Sequence, residues 1–467
     1  MKTYQDLMKV SQDFRSRAEF VRQAISQHKG GDLYRTAVTA KEYAAKRNVT
    51  IRQYQKLLYT VTGKPVPDNT SANYKVSSSF FSRFVTQEVQ YLLGNGVSWQ
   101  DENTGARLGD DFDLQLQRAG KAALVGGVAF GFFDLNRLRV FDVTEFVPIY
   151  DEKNGALMAG IRFWQVASDK PMRATLYEID GYTDYLWDKG KPQELVPKRA
   201  YILRVSGDNV DREQNTEIYE GENYPTFPIV PLWGNPYHQS ELTGIRESID
   251  CYDLIKSGFA NTIDDASFIY WTIKNAGGMD DVDLAEFVRR LKTVHAATTD
   301  DEAQAEAHSV EAPTNGREAL LDRLERDLYK DYMALDVSNI ASGATTATQI
   351  KAAYEPINSK ANEFEPLVKD FIADILKAAQ IDDTPTFSRS TIVNTQEEIN
   401  TVLASAEYLP HDYITQKIVT LLGDGDKAAD ILADLDEEEG EALTVGPIGE
   451  EPVTTSAVSG GEENEPE

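Results

Sequence analysis

FPIVPLWGNPYHQSELTGIRESIDCYDLIKSGFANTIDD, residues 227–265, contains the point at which the chain changes its period. Up to Trp233 the run is short, β-branched and bounded by prolines, the pattern of a strand. Beyond Pro236, apolar or bulky side chains recur three and four apart. They are Leu242, Ile245, Ile249, Tyr252, Phe259, Ile263, Ala266, Tyr270 and Ile273, with Lys256 in the one open slot. That recurrence predicts a helix over 241–276, about 54 Å long at ~1.5 Å per residue. A helix of this length draws its stability from packing along an apolar face, so it needs partners. Gly277-Gly278 supplies a stop signal, and a polar acidic segment with one short helical pattern, Leu284–Leu291, runs on to Pro313. Leu320, Leu324, Leu328 and Tyr332, four apart, then predict a second amphipathic helix over 316–334. Two helices bracketing residues 277–315 describe an extended helical hairpin with a small tip.

Upstream, between 97 and 235, the pattern is one of short β-rich runs, among them GGVAFGFFDL, LRVFDVTEFVPIYD, LMAGIRFWQV and ATLYEIDGYTDYLWD. Asn154-Gly155 and Gly190–Pro192 separate some of them, which predicts an antiparallel meander or small barrel. VSSSFFSRFVTQEVQYLL, residues 76–93, places Phe80, Phe84, Val85, Val89 and Leu92 on one helical face before Gly94 and Gly96. The first 75 residues read mostly as helix, with a second helical pattern over Ile51–Leu58 before Gly63, Pro65, Pro67 and Asp68 break it. Downstream, DVSNIASGATTATQ, residues 336–349, lacks apolar periodicity and reads as a loop. Residues 348–380 read as a helix with Ile350, Tyr354, Ile357, Ala361, Phe364, Val368, Phe371 and Ile375 on a face. Pro356 and Pro366 inside it predict kinks, since each removes a backbone bond and clashes four residues back at ~3 kcal/mol. A strand-like run, TPTFSRSTIV, precedes a last helical region from Gln396 to Leu435. The fold class is therefore α+β.

The 467 residues allow two to four packed units at about 100–200 residues each, and 41% hydrophobic and 10% aromatic content rules out global disorder. One cysteine, Cys251, excludes a disulfide scaffold and a cysteine-rich zinc site, and reads as a reduced, buried thiol among apolar neighbours. The first residues lack the apolar run of a signal peptide, and no 18-residue apolar stretch predicts a membrane span. Acids outnumber bases 76 to 47, a formal charge of -29. A simple nucleic-acid grip built on clustered Lys and Arg is excluded by that balance. From Asp436 to Glu467 there are eleven acids and no base, so 437–467 is expected to be a disordered acidic tail.

No constellation for catalysis emerges. Gly63-Lys64, Gly120-Lys121 and Gly190-Lys191 are followed by Pro, Ala and Pro, and GDGDKAAD at 423–430 only imitates a phosphate loop. GGVAFG lacks the dinucleotide spacing and reads as bulge or tight packing. The pairs Asp264-Asp265, Asp280-Asp281 and Asp382-Asp383 read as solvated surface, and His295 with His308 lacks a second ligand pair at helical spacing. No enzyme activity, cofactor or metal is expected.

Four stretches together resemble a known family. SSSFFSRFVTQEVQYLLGNGVSW (77–99) is similar to its helix and Leu-Leu-Gly turn, and VFDVTEFVPIYDEKNGALMAGIRFW (140–164) to its Pro-Ile-Tyr-Asp and hydrophobic strand. The 227–265 segment resembles its Pro-hydrophobic-Pro, Asn, Ser-Glu-Leu and Ile-Asp-Tyr-Asp-type helix start. SGATTATQIKAAYEPINSKANEFEPLVKDFI (342–372) resembles its small-residue loop entering a kinked helix. The family is that of the portal proteins of tailed bacteriophages, specifically the siphophage portals of Gram-positive hosts. The sequence departs from its pattern at Trp233-Gly234 and in carrying a second proline, Pro366, in the kinked helix.

The resemblance implies a homo-oligomeric ring, twelve subunits expected and thirteen allowed in isolation, at one capsid vertex of a virion assembled in the bacterial cytoplasm. Double-stranded DNA would pass through it in packaging and ejection, without sequence specificity and with no membrane involved. It further implies an α/β wing (1–240, joined by 381–395), stem helices (241–276 and 316–335) and a clip (277–315). A tunnel loop (336–347), a kinked tunnel helix (348–380) and a helical crown (396–436) complete the architecture. Within the loop, Asp336, Ser338, Asn339, Ser342, Gly343, Ala344, Thr345 and Thr346 would face the channel. Lys330 and Lys351 are the nearest cations able to touch phosphates, with Pro356 and Pro366 the kink positions. Implied partners are a large terminase or packaging motor, a head-completion adaptor, and capsid and scaffolding proteins. An acidic channel suits this role, because each retained phosphate contact would add salt-dependent affinity and hence friction. Two readings compete: another ring-forming virion connector or baseplate component, and a metal-dependent nuclease using Asp264, Asp265, Asp280 and Asp281.

Overall fold

A computed structural model describes residues 2–59, 62–68, 71–135, 137–211, 216–266, 270–274, 282, 304–308, 314–338, 347–390, 395–423, 425–429 and 431–435. The chain divides into two units, one of residues 1–344 with 351–391 and one of 345–350 with 392–467.

The first unit begins with α1 (Tyr4–Lys9), α2 (Phe14–Gly30), α3 (Asp32–Ala44) and α4 (Val49–Gln53). Their starts are legible locally. Thr3 and Asp6 form a capping box, the Asp13 carboxylate accepts from Ser16 N, and the Asn48 side chain accepts from Ile51 N, satisfying donors that a first turn leaves open. The helical pattern over Ile51–Leu58 is cut short at Gln53. Leu57–Tyr59 (β1) instead pairs antiparallel with Pro65–Pro67 (β2), whose two prolines are held extended and provide a strand partner.

Next come α5 (Phe80–Leu93), β3 (Val97–Ser98), α6 (Asn103–Leu108), α7 (Phe112–Gly126), β4 (Val128–Phe133) and β5 (Leu138–Asp142). β6 (Phe146–Tyr150), β7 (Leu157–Trp164), β8 (Met172–Glu178), β9 (Gly181–Asp188) and β10 (Lys191–Arg199) form an open antiparallel meander in sequence order. Alternate residues Val147, Ile149, Ile161, Leu176 and Tyr185 pack against Ala18, Val21 and Ile25 of α2, while Phe146 and Tyr177 on the other face pack with Phe130 of β4 and Phe141 of β5, so both faces of this part of the sheet are covered. β11 (Ile202–Asp211) and β12 (Thr216–Glu222) make a hairpin, and β13 (Ile229–Trp233) pairs with β4, which also pairs with β5. Thus the strand half of the 227–265 segment joins a separate three-stranded sheet, and the β region is open rather than a barrel.

Past β13 the helix is shorter than its periodicity predicts. It is α8 (Arg246–Ala266), not 241–276, and Tyr270–Lys274 (β14) pairs with Gln304–His308 (β15). Tyr270, Trp271, Thr272 and Ile273 are consecutive strand formers, so Tyr270 and Ile273 fit the helical recurrence by coincidence. The hairpin tip therefore begins inside the predicted helix and includes a two-stranded ribbon, while Gly277-Gly278 and Leu284–Leu291 lie outside the described residues. α9 (Thr314–Tyr332) returns beside α8, and α10 (Ala347–Ala379) is a single 33-residue helix containing both Pro356 and Pro366. β16 (Thr386–Phe387) closes on β3.

The largest core joins α5, α7, β4 and β13 to the first half of α8, the end of α9 and Phe364, Val368, Phe371 and Ile375 of α10. Gly131 of the GGVAFG run lies against α10, where a Cβ would come within 2.5 Å of the Phe371 ring. Its glycine serves close packing, not a phosphate. The second unit contains α11 (Thr395–Ala404) and α12 (His411–Leu422), with Ile414 and Val419 buried. Among the described residues no helix is long and apolar enough to cross a membrane.

Candidate functional site

α8 is tied to the first unit by its polar side chains as much as by its apolar ones. Asp253, Ser257 and Asn261 accept from the backbone amides of Ser78, Val76 and Tyr74 at 2.9, 3.0 and 2.6 Å. The match is geometric: four helical residues rise about 6 Å, and two extended residues span about 6.6 Å. Each turn of α8 therefore meets every second amide of an extended strap running the other way. Asp253 is fully buried and also accepts from Asn48 Nδ2 at 2.8 Å, while burial pushes its carboxyl up against the opposing effect of Asn48 and Ser78. Tyr43 Oη and Thr50 Oγ1 donate to Asp250 one turn earlier, at 2.5 and 2.8 Å. Asp253→Ala strands the Ser78 amide and the Asn48 amide group, and is expected to lower stability by about 1–3 kcal/mol. A denaturation midpoint equal to that of the unsubstituted chain would refute the ladder's contribution.

Among the described residues, the opposite side of α8 is largely uncovered. Cys251, Leu254, Ile255 and Gly258 follow i, i+3, i+4, i+7 spacing on one face. Cys251 is exposed, Leu254 is 42% exposed, and a Cβ on Gly258 would meet nothing within 4 Å. The expectation that Cys251 is buried is corrected. It sits about 100° around the helix from Tyr252, and it is Ile249 and Tyr252 that enter the core. At the far end, Arg317 Nη1 donates to Thr262 Oγ1 at 2.7 Å, and Phe80 meets both Tyr252 and Tyr329 edge-on. These contacts fix α9 antiparallel to α8.

The root of the loop after α9 is held by α5. Gln87 Nε2 donates to Leu335 O and Gln87 Oε1 accepts from Leu335 N, both at 3.0 Å, so one amide side chain pairs with the backbone as a strand would. Asp336 Oδ1 accepts from Ser338 N and Oγ at 3.0 and 2.6 Å. Asn339, Ser342, Gly343, Ala344, Thr345 and Thr346 lie outside the described residues.

The next residue of α5, Glu88, is 2% exposed. Tyr332 Oη, on the last residue of α9, donates to Glu88 Oε2 at 2.7 Å, and Lys360 Nζ of α10 stands 3.7 Å from the same oxygen. Lys360 also ion-pairs with Glu241 and lies 3.7 Å from the centroid of the Tyr332 ring. Burial first, and then the neighbouring Glu241 charge, push the Glu88 carboxyl up to about 7 against the pull of Lys360 and Tyr332. Burial also raises the Tyr332 hydroxyl well above its ordinary value.

On α10, Arg389 crosses the segment between the two prolines. Its guanidinium donates to the Asn358 side chain, to Asn362 Oδ1 at 2.6 Å and to Glu365 Oε2 at 2.8 Å. Pro356 and Pro366 are both on exposed positions of the helix. The Lys330 and Lys351 side chains are exposed, with no hydrogen bond or ion pair to the side chains of other described residues. Lys330 borders a cavity of about 660 Å³ between α9 and α10, with Tyr329, Ala352, Ala353 and Pro356 in its wall. Asp264 is half-buried, while Asp280, Asp281 and His295 lie outside the described residues. Among those described, no three His, Cys, Asp or Glu gather where they could hold a metal.

Sequence reading missed Gln87, Glu88, Lys360 and Arg389. A signal existed for two of them. Glu88 continues the four-residue spacing of Phe80 and Phe84 towards Leu92, and Lys360 falls between Ile357 and Phe364 on the apolar face of α10. A charge at a core position implies a buried partner, but spacing does not name it.

Comparisons with known proteins cover most of the chain. The family model for phage portal proteins of the SPP1 Gp6-like type matches residues 25–441. The chain is 24% identical over 387 residues to the portal protein of Bacillus phage SPP1, covering 76% of this chain and 74% of that one. It is 25% identical over 377 residues to the portal protein of Clostridium phage phiCD119, covering 73% and 80%. Among solved structures, the neck of a native gene transfer agent particle computed with C12 symmetry aligns over 73% of this chain and 89% of its own, at 9% identity and a TM-score of 0.43. The neck of the empty particle computed with C6 symmetry gives 74%, 90%, 10% and 0.45.

Proposed function

The chain belongs to the SPP1 Gp6-like family of phage portal proteins, and from that membership we propose that its copies close into a ring of twelve. The ring sits at one vertex of the capsid, and double-stranded DNA enters and leaves through its channel. Residues 1–240 with 381–395 serve as the wing, α8 and α9 as the stem, the tip between them as the clip, and 396–436 as the crown. The loop after α9, with Ser342, Gly343 and their neighbours, lines the channel, with Lys330 and Lys351 the cations nearest to passing phosphates. The clip receives a packaging motor and later a head-completion adaptor, and the wing meets capsid and scaffolding proteins.

The single observation that carries the ring is the uncovered face of α8. Cys251, Leu254, Ile255 and Gly258 form an uncharged stripe that the described residues leave exposed or half-exposed. A heterologous contact repeated around a closed ring gives such a stripe a partner from the next copy, and Gly258 lets that backbone come close. The formal charge of -29 favours DNA transit over retention.

Electron microscopy of the purified full chain, with rotational averaging of end-on views, tests the proposal. Rings of twelve or thirteen with a central hole are expected; a monomer or dimer at high concentration would reject it. Leu254→Glu places a charge in each of the repeated contacts and costs the ~1.5–3 kcal/mol of burying a leucine at each. The variant is expected to elute as a monomer with an unchanged circular dichroism spectrum, and intact rings would move the interface elsewhere.

A further inference from the structure

The two helices that flank the loop after α9 are fastened to one buried carboxylate. Tyr332 ends α9, Lys360 lies in α10, and both reach Glu88 of α5 within a cavity of about 210 Å³ also lined by Glu241, Asp331 and Glu363. We infer that Glu88 is a proton-linked interlock, fastening the end of α9 with residues 333–338 to residues 351–359 of α10 when it carries a proton and releasing its hold when it is ionised. The inference needs no neighbouring subunit, because every member belongs to one chain.

Charge counting gives the physical reason. With Glu88 ionised, two carboxylates, Glu88 and Glu241, share one ammonium, Lys360, and the excess negative charge is buried. Asp331 of α9 and Glu363 of α10, the other charged groups in the cavity wall, are both acidic and on exposed positions, so neither compensates it. A proton on Glu88 leaves a balanced Lys360–Glu241 pair beside a neutral carboxyl that Tyr332 still reaches. Opening the cluster returns Glu88 to water and to the ordinary carboxylate range. The closed form, with Glu88 pushed up to about 7, therefore binds the proton more tightly than the open one. Opening releases a proton in the window between those values, so it becomes easier as pH rises and levels off above about 7.

Amide hydrogen exchange of the full chain between pH 5 and pH 8, corrected for intrinsic exchange, reads this directly in residues 333–338 and 351–359. The opening constant is expected to rise about tenfold per pH unit within the window and then to flatten. Glu88→Gln should remove the rise and hold these amides at their low-pH protection. A flat curve for the unsubstituted chain, or a rise that survives Glu88→Gln, overturns the inference. Tyr332→Phe removes the donor that favours the ionised carboxylate, so its rise should shift to higher pH. Should Glu88→Gln fail to fold, an unshifted Tyr332→Phe curve would decide against the interlock.

Discussion

Lys360→Met is expected to cost about 3–5 kcal/mol of stability near pH 8, the range for stripping one partner from a buried ion pair. The ammonium ion-pairs with Glu241, stands 3.7 Å from Glu88 and lies over the Tyr332 ring at 3.7 Å. Without it, two carboxylates remain in a cavity with no cation among its lining residues. The loss should shrink towards pH 5, where Glu88, already pushed up to about 7, accepts a proton and leaves less charge uncompensated. By linkage, a carboxyl whose value is raised by folding contributes stability that is fully present below the ordinary carboxylate range and is lost progressively as pH rises to its folded value of about 7. Urea denaturation at the two pH values checks both parts. A loss under ~1 kcal/mol at pH 8, the worth of an exposed pair, would show that Lys360 is solvated.

The second large effect belongs to the core. Phe371→Ala removes a fully buried ring that touches Gly131 of β4, and a loss of about 3–5 kcal/mol is expected from transfer and cavity terms together. Gly131→Ala alone is also expected to destabilise, because its Cβ would come within 2.5 Å of that ring and 3.1 Å of Leu138. In the double variant the added methyl enters the space the ring left. The two losses should therefore sum to more than the loss of the double variant, as contacting sites do. Simple additivity in a denaturation cycle would mean that β4 and α10 do not press on each other there.

Together these expectations locate what α10 does. Its apolar face is part of the largest core, its Lys360 meets the charge cluster, and Arg389 braces it between Pro356 and Pro366. A proline inside a helix leaves a carbonyl without its usual donor, and the Arg389 contacts to Asn358, Asn362 and Glu365 hold the segment between two such places. The helix is thus an internal element of the first unit from Tyr354 onward.

What the sequence determined by itself is what local chemistry and period can specify. The change of period after Pro236, the helix that ends at Leu93 (starting at Phe80 rather than at 76), the meander after Phe146 and the return of a second long helix beside α8 were all legible, because burial on one face imposes 3.6- or 2-residue spacing. The four quoted stretches also carried the family. The tertiary structure alone decided where the long helix ends, since Tyr270 and Ile273 satisfy both periods and only the pairing of β14 with β15 chooses between them. It alone turned Cys251 outward, because a one-residue step moves a side chain about 100° around a helix. It alone brought Glu88, Glu241, Tyr332 and Lys360 together from positions far apart in the chain. Spacing shows that a charge lies on a buried face, but the identity of its partner depends on how the faces meet.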